Sequence, residues 1–246
     1  MVKFIVFCTK IIAVSIAALL FSSCHANINW DDGIDGNENV TRQIRKVENN
    51  FSKIEVSRGL IVTLEKSESY FIEVEADENL QGHITTKVEN GLLIITADEN
   101  INQAKAKTIH IKLPTLTSVE STSGSSVSTK NSFGGTDLLI KTSSGSETEL
   151  NVEYDTIKSE SSSGSTLNLK GKALKLNAAS SSGSSIEAKD LLVNEITAKA
   201  SSGGTINVHP GISLNAKASS GGSIDYSGLP KTVIKEESSG GSVSKD

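Results

Sequence analysis

Four histidines, one local group of carboxylates and two cysteines are the residues of this 246-residue chain whose types could carry chemistry. His25, His83, His110 and His209 are scattered, and no two stand at the spacing of a metal-ligating pair. Asp137, Glu147, Glu149, Glu153 and Asp155 are close enough in sequence to line one face. A carboxylate pair could act as acid and base on a glycosidic bond, so a carbohydrate-active enzyme is one reading of that group. A solvated acidic face is the plainer one. Serine is abundant, yet no Gly-x-Ser-x-Gly elbow occurs that would expose and activate one as a nucleophile. Each Gly pair leads into a strand-like alternation and not a helix, so no phosphate-cradling loop is formed. The expectation is a protein without catalytic residues, bound metal or cofactor.

The cysteines point to an anchor. Cys8 lies inside a leader and Cys24 at its end, so the mature body has no thiol for disulfides or Cys-based metal sites. Lys3 and Lys10 give a positive start, and Ile11 to Phe21 is an eleven-residue apolar run. A bilayer-spanning helix needs roughly 20 such residues, so residues 1–24 read as an export signal. The run ends in Phe21-Ser22-Ser23-Cys24, which resembles a bacterial lipobox and makes Cys24 the expected lipidation site. His25 follows where some bacteria place an inner-membrane retention Asp, which favours the outer membrane. Residues 25–46 read as a polar tether. Asp31, Asp35 and Gly36 hint at a calcium loop, but Gly33 stands at a ligand position and Arg42 where the closing Glu belongs.

The elements that would position any site come from a repeat. A Ser-Gly element recurs seven times at near-constant spacing: Ser123-Gly124, Ser144-Gly145, Ser163-Gly164, Ser182-Gly183, Ser202-Gly203, Ser220-Gly221 and Ser239-Gly240. The intervals are 21, 19, 19, 20, 18 and 19 residues. Ser makes up 31 of the 129 residues from Ser118 onward, a composition that alone would suggest a linker. The apolar positions say otherwise. Leu167/Leu169, Ile186/Ala188, Ile206/Val208 and Ile224/Tyr226 alternate after the corner, and Leu174/Leu176/Ala178 or Leu214/Ala216/Ala218 alternate before it. Period two marks strands with one buried face. Each repeat therefore holds two short strands, with turns at Ser-Ser-Gly and around Gly171, Asp190, Pro210-Gly211 and Gly228.

No such unit can bury its apolar face alone, so the units must stack. The predicted fold is all-β, a right-handed parallel β-helix or β-solenoid with rungs of ~19 residues at roughly 4.8 Å spacing. The corner serines are expected to form a hydroxyl ladder from rung to rung. That ladder is either structural or a polar stripe facing sugar hydroxyls.

The segment from Lys46 to Leu116 is β-rich without the serine. It alternates at Ile54/Val56, Val62/Leu64 and Ile72/Val74/Ala76, with an Asn90-Gly91 hairpin signal. It should start the same sheet and cap its first edge, so residues 47–246 are read as one domain with the Ser-Gly repeats over 118–246. At the other end no helix covers the last rung. Lys235, Glu236, Glu237 and Lys245 must blunt it, or a second copy must cover it as a homodimer.

Composition excludes other classes. Arg42, Arg45 and Arg58 are the only arginines, too few for a nucleic-acid face. Without the leader the chain carries 22 basic against 29 acidic residues, a net charge of −7. Only ten residues are aromatic, so a narrow aliphatic core is expected.

The segments Phe51 to Leu64, Ile72 to Leu80, Gly91 to Ile95 and Ile111 to Val119, followed by the Ser-Gly repeats, resemble the putative auto-transporter adhesin, head GIN domain family. The resemblance runs over about residues 47–243. It implies an exported protein of Bacteroidetes-type bacteria, often a lipoprotein, with a β-helical body. It implies no catalytic or binding residue. The expected function is a lipid-anchored adhesin or glycan-binding module whose partners are the membrane and a glycan or surface protein. A purely structural, self-associating envelope protein is the alternative.

Overall fold

Seventeen β-strands coil into a single sheet in the computed structural model, which describes residues 33–47 and 50–246. The leader, with Cys24 and His25, lies outside the described residues. Among the described residues no helix is long and apolar enough to cross a membrane.

The repeat region is a parallel β-solenoid, as the period-two alternation requires. β8 (Ser118–Ser121) and β9 (Ser126–Thr129) flank the first Ser-Gly corner. β10 (Phe133–Thr142) follows β9 after a short break and leads into the second Ser-Gly corner, while β11 (Glu147–Ser161), β12 (Thr166–Ser180), β13 (Ser185–Ala200) and β14 (Thr205–Ala218) each run from one Ser-Gly corner to the next. β15 (Ser223–Tyr226), β16 (Thr232–Glu237) and β17 (Ser242–Lys245) complete the last rungs. Every neighbouring pair is parallel, in register along both arms.

Register puts like residues in columns. One inward column reads Val62, Val127, Thr148, Leu167, Ile186, Ile206, Ile224, Val243, all buried. A second narrows along the axis: Ile54, Val119, Ile140, Ser159, Ala178, Ala198, Ala216. The core is aliphatic as expected, with Phe51, Phe133, Tyr154 and Tyr226 its buried aromatics.

The unequal repeat lengths are absorbed at the second corner, opposite the Ser-Gly one. Register shifts occur between Asn168 and Gly171 and between Ala188 and Leu192. The Ser-Gly side stays in strict register, so variation is pushed to one edge.

The first half begins the same coil. β2 (Lys53–Val56) and β3 (Ile61–Lys66) form a rung that pairs in parallel with β8 and β9 on one side. On the other side they pair with β6 (Leu92–Ala97) and β7 (Lys107–Leu113). The direction then reverses. β5 (Ile84–Glu89) pairs antiparallel with β6 through a hairpin whose Asn90 and Gly91 both have positive φ. β4 (Phe71–Asp77) pairs antiparallel with β7 and with β1 (Val40–Arg45).

β1 corrects one expectation. The tether expected over 25–46 gives way to ordered structure by Ile34, which bridges Ile101, and Val40–Arg45 is a strand. The cause is backbone hydrogen bonding, which carries no hydrophobic period. The buried Asp77 carboxylate accepts N–H bonds from Glu38 at 3.0 Å, Lys105 at 3.3 Å and Ala106 at 2.9 Å. Gly36 is required beside it, since a Cβ there would lie 2.0 Å from Asp77 Oδ2. Burial opposes the charge on Asp77, but the three amide donors outweigh it and lower its pKa.

Candidate functional site

The Ser-Gly corners are type I′ turns stacked in one column. Each serine sits at φ between 49° and 55° and each glycine between 69° and 77°. Glycine takes that region freely, while serine there is strained. What holds the turns is backbone: Gly124 N–H donates to Ser144 O at 3.0 Å, Gly145 to Ser163 at 3.0 Å and Gly164 to Ser182 at 3.1 Å, and so on through Gly221 to Ser239. All seven serine–glycine tips are exposed.

The hydroxyl ladder is not on the tips. It lies inside, on the serines and threonines that flank each turn. Ser165 Oγ donates to Ser162 O at 2.8 Å and Thr142 Oγ1 at 3.1 Å, and lies 2.9 Å from Ser161 Oγ. Ser121, Ser146 and Thr148 make an equivalent buried cluster one rung earlier, and Ser180 with Ser184 one rung later. From Ala200 onward the same positions carry Ala200/Gly204 and Ala218/Gly222, and the turn bond shortens from 3.2 Å at Ser184 to 2.8 Å at Gly204. The hydroxyl cluster is therefore interior scaffolding, and the exposed tips offer only a row of small polar groups.

Sequence reasoning missed the concave surface of the molecule. Two grooves run along the second corner and share Tyr154. One, of about 430 Å³, has Ala173, Leu174, Leu192 and Val193 as apolar walls and Glu153, Asp155, Lys172, Asn194 and His209 at its rim. The other, of about 710 Å³, is bordered by Leu116, Leu138 and Leu139 with Lys53, Thr117, Thr136, Asp137, Thr156 and Lys158. Tyr154 is buried between them, and its hydroxyl donates to Leu116 O. Burial pushes its pKa up to about 12, so the phenol stays a neutral donor. Leu174 corrects one expectation: it continues the period-two alternation of Leu176 and Ala178, yet it is 51% exposed while Ala173 beside it is buried, so the inward face changes at this corner.

The other candidate residues disperse. Glu153 and Asp155 border the first groove and Asp137 the second, while Glu147 and Glu149 lie on the other arm of β11. Glu149 is paired with Lys170 at 2.7 Å. His83 Nδ1 lies 2.9 Å from Asp98, and His110 Nε2 lies 3.0 Å from Glu75. Glu75 also accepts from Arg42 at 3.1 Å, and His110 and Arg42 together lower its pKa. Among the described residues no group of three or more His, Cys, Asp or Glu side chains could hold a metal ion.

The model of the putative auto-transporter adhesin, head GIN domain family matches residues 50–230. The chain belongs to that family. Similar solved structures include a putative adhesin from Bacteroides fragilis, 20% identical, covering 87% of this chain and 100% of that one, with a TM-score of 0.80. A putative lipid binding protein from Parabacteroides distasonis is 19% identical over 87% of this chain and 99% of its own, with a TM-score of 0.69. A putative adhesin from Parabacteroides merdae is 19% identical over 87% and 98%, with a TM-score of 0.64. At these identities the likeness is one of fold. No curated protein matches the sequence.

Proposed function

We propose that this chain is an adhesion module held at the outer membrane by a lipid on Cys24, that it works by binding without turnover, and that a glycan lies in the grooves beside Tyr154. The observation that carries the reading is the composition of those grooves. Aliphatic walls and a rim of hydroxyl, amide and carboxylate groups suit a saccharide, which presents C–H faces and hydroxyls together. Asp137, Glu153 and Asp155 then act as acceptors for sugar hydroxyls. The export leader and the adhesin description of the family support the location.

The test is a glycan-array screen with the full chain, followed by titration of any hit. Leu174→Ser with Leu192→Ser is expected to weaken binding at least tenfold, because both side chains are about half exposed and serve no core. Ser182→Ala with Ser202→Ala is expected to leave binding unchanged. Loss on the serine pair alone would move the site to the Ser-Gly corners, and an array without hits would sink the glycan reading.

One observation favours a second reading. Leu174, Leu192, Ile212 and Leu229, from four successive second corners, are exposed by 51%, 53%, 43% and 84%. A ridge of aliphatic side chains of this kind suits a lipid surface. Co-sedimentation with phosphatidylethanolamine vesicles, abolished by Leu192→Ser with Leu229→Ser, would replace the glycan by lipid.

A further inference from the structure

β16 and β17 form the outermost described rung. They have partners on one side only, β14 and β15. In a parallel strand alternate residues bond to opposite sides, so Ser242 and Asp246 donate inward, to Gly222 O and Tyr226 O. Val243 turns its N–H and C=O outward, where a further rung would bind them. Two side chains already occupy that place. Glu237 Oε1 accepts from Val243 N–H at 2.5 Å, and Lys235 Nζ donates to Val243 O at 2.9 Å.

Both side chains stand in inward columns. Lys235 follows Ala198 and Ala216 in register, and Glu237 follows Ala200 and Ala218. The Lys235 ammonium also lies 5.0 Å from the Tyr226 ring centroid, over the end of the core. Inward-pointing charge on an edge strand makes pairing expensive, because an added rung would have to bury it. The Ala columns beneath end on charges at the outermost described rung.

We infer that Lys235 and Glu237 seal a strand-pairing surface whose complement is the last rung of a second copy of this chain. The partner follows from the shape. The exposed edge is a solenoid rung with its own Val243 donor and acceptor, and two such edges meet about a two-fold axis, which closes as a dimer. The seal keeps the chain a protomer, which runs against the self-associating alternative.

The test uses the full-length chain in mild detergent, with size read by chromatography and light scattering and the fold by far-UV circular dichroism. The unaltered chain is expected to remain a protomer at every concentration. K235A/E237A, which extends the Ala columns by one rung, is expected to form a dimer within the concentration range over which the unaltered chain stays a protomer. Adding V243P removes the outward N–H and is expected to restore the protomer. If K235A/E237A loses its β signal, E237Q alone serves, with a weaker but V243P-sensitive dimer expected. A folded variant that stays a protomer, association that V243P does not reverse, or an unaltered chain that already dimerises through Val243 would each overturn the inference.

Discussion

The amide of Gly59 donates to the carbonyl of Ser123 at 2.9 Å. Arg58-Gly59 has the same pair of positive φ values as the Ser-Gly corners, 58° and 68°, without the serine. The bond makes it the first corner of the column and joins the serine-poor half of the chain to the repeats. The corner column is therefore a backbone structure that tolerates Arg at its tip, and the serines are one way to fill it.

Two glycines of one motif should fail differently when given a side chain. Gly164 is at φ +71° with open space around it, so Gly164→Ala carries only the left-handed penalty of about 1–2 kcal/mol. A Cβ on Gly204 would lie 2.5 Å from Ser180 O and 2.6 Å from its carbon, forcing rungs apart. Gly204→Ala is expected to lower the denaturation midpoint clearly more than Gly164→Ala, measured by urea titration.

The interior hydroxyls are not equivalent either. Ser159 Oγ is buried without a partner, in a column that continues as Ala178, Ala198 and Ala216. Ser159→Ala should stabilise the fold by about 1 kcal/mol, since an unsatisfied buried hydroxyl is removed. Ser165→Ala should cost about 1–2 kcal/mol, because it strips partners from Thr142 and Ser161. Opposite signs in a calorimetric comparison are the expected result.

Asp77 ties the N-terminal segment down as a carboxylate. Its folded pKa is depressed, so its contribution is present above the unfolded value and lost as pH falls below about 4. Amide exchange at Glu38, Lys105 and Ala106 should rise in that range while the repeat core stays protected. Asp77→Asn, which keeps the shape and loses the charge, should remove the pH dependence and raise exchange there already at pH 7.

Tyr154 gives the alkaline counterpart. A folded pKa of about 12 against about 10 unfolded means its contribution is whole below pH 10 and declines as pH rises toward 12. Tyr154→Phe leaves Leu116 O without its donor and should cost about 1–2 kcal/mol at pH 7, with a flatter stability curve above pH 10.

What was legible in the sequence is what repeats. The alternation at Ile186/Ala188 and Ile206/Val208 specified strands and their inward faces, and the near-constant interval between Ser-Gly pairs specified stacking. Arg58-Gly59 was missed because one turn geometry accepts several residue types at its tip. β1 was missed because Asp77 holds its approach through backbone amides, which leave no period in the chain. The grooves were missed because Tyr154 faces residues brought beside it only by stacking, Leu116 among them, thirty-eight positions away. The hydroxyl ladder was expected two positions off, on the strained tips, where the side chains are exposed.

The most direct test of the account is protease shaving of intact cells, read with an antibody against the Ser-Gly body and repeated in a Cys24→Ala strain. The adhesion account predicts digestion in whole cells and release of the Cys24→Ala protein from the membrane fraction. Protection until the outer membrane is opened would contradict it and leave a periplasmic structural protein.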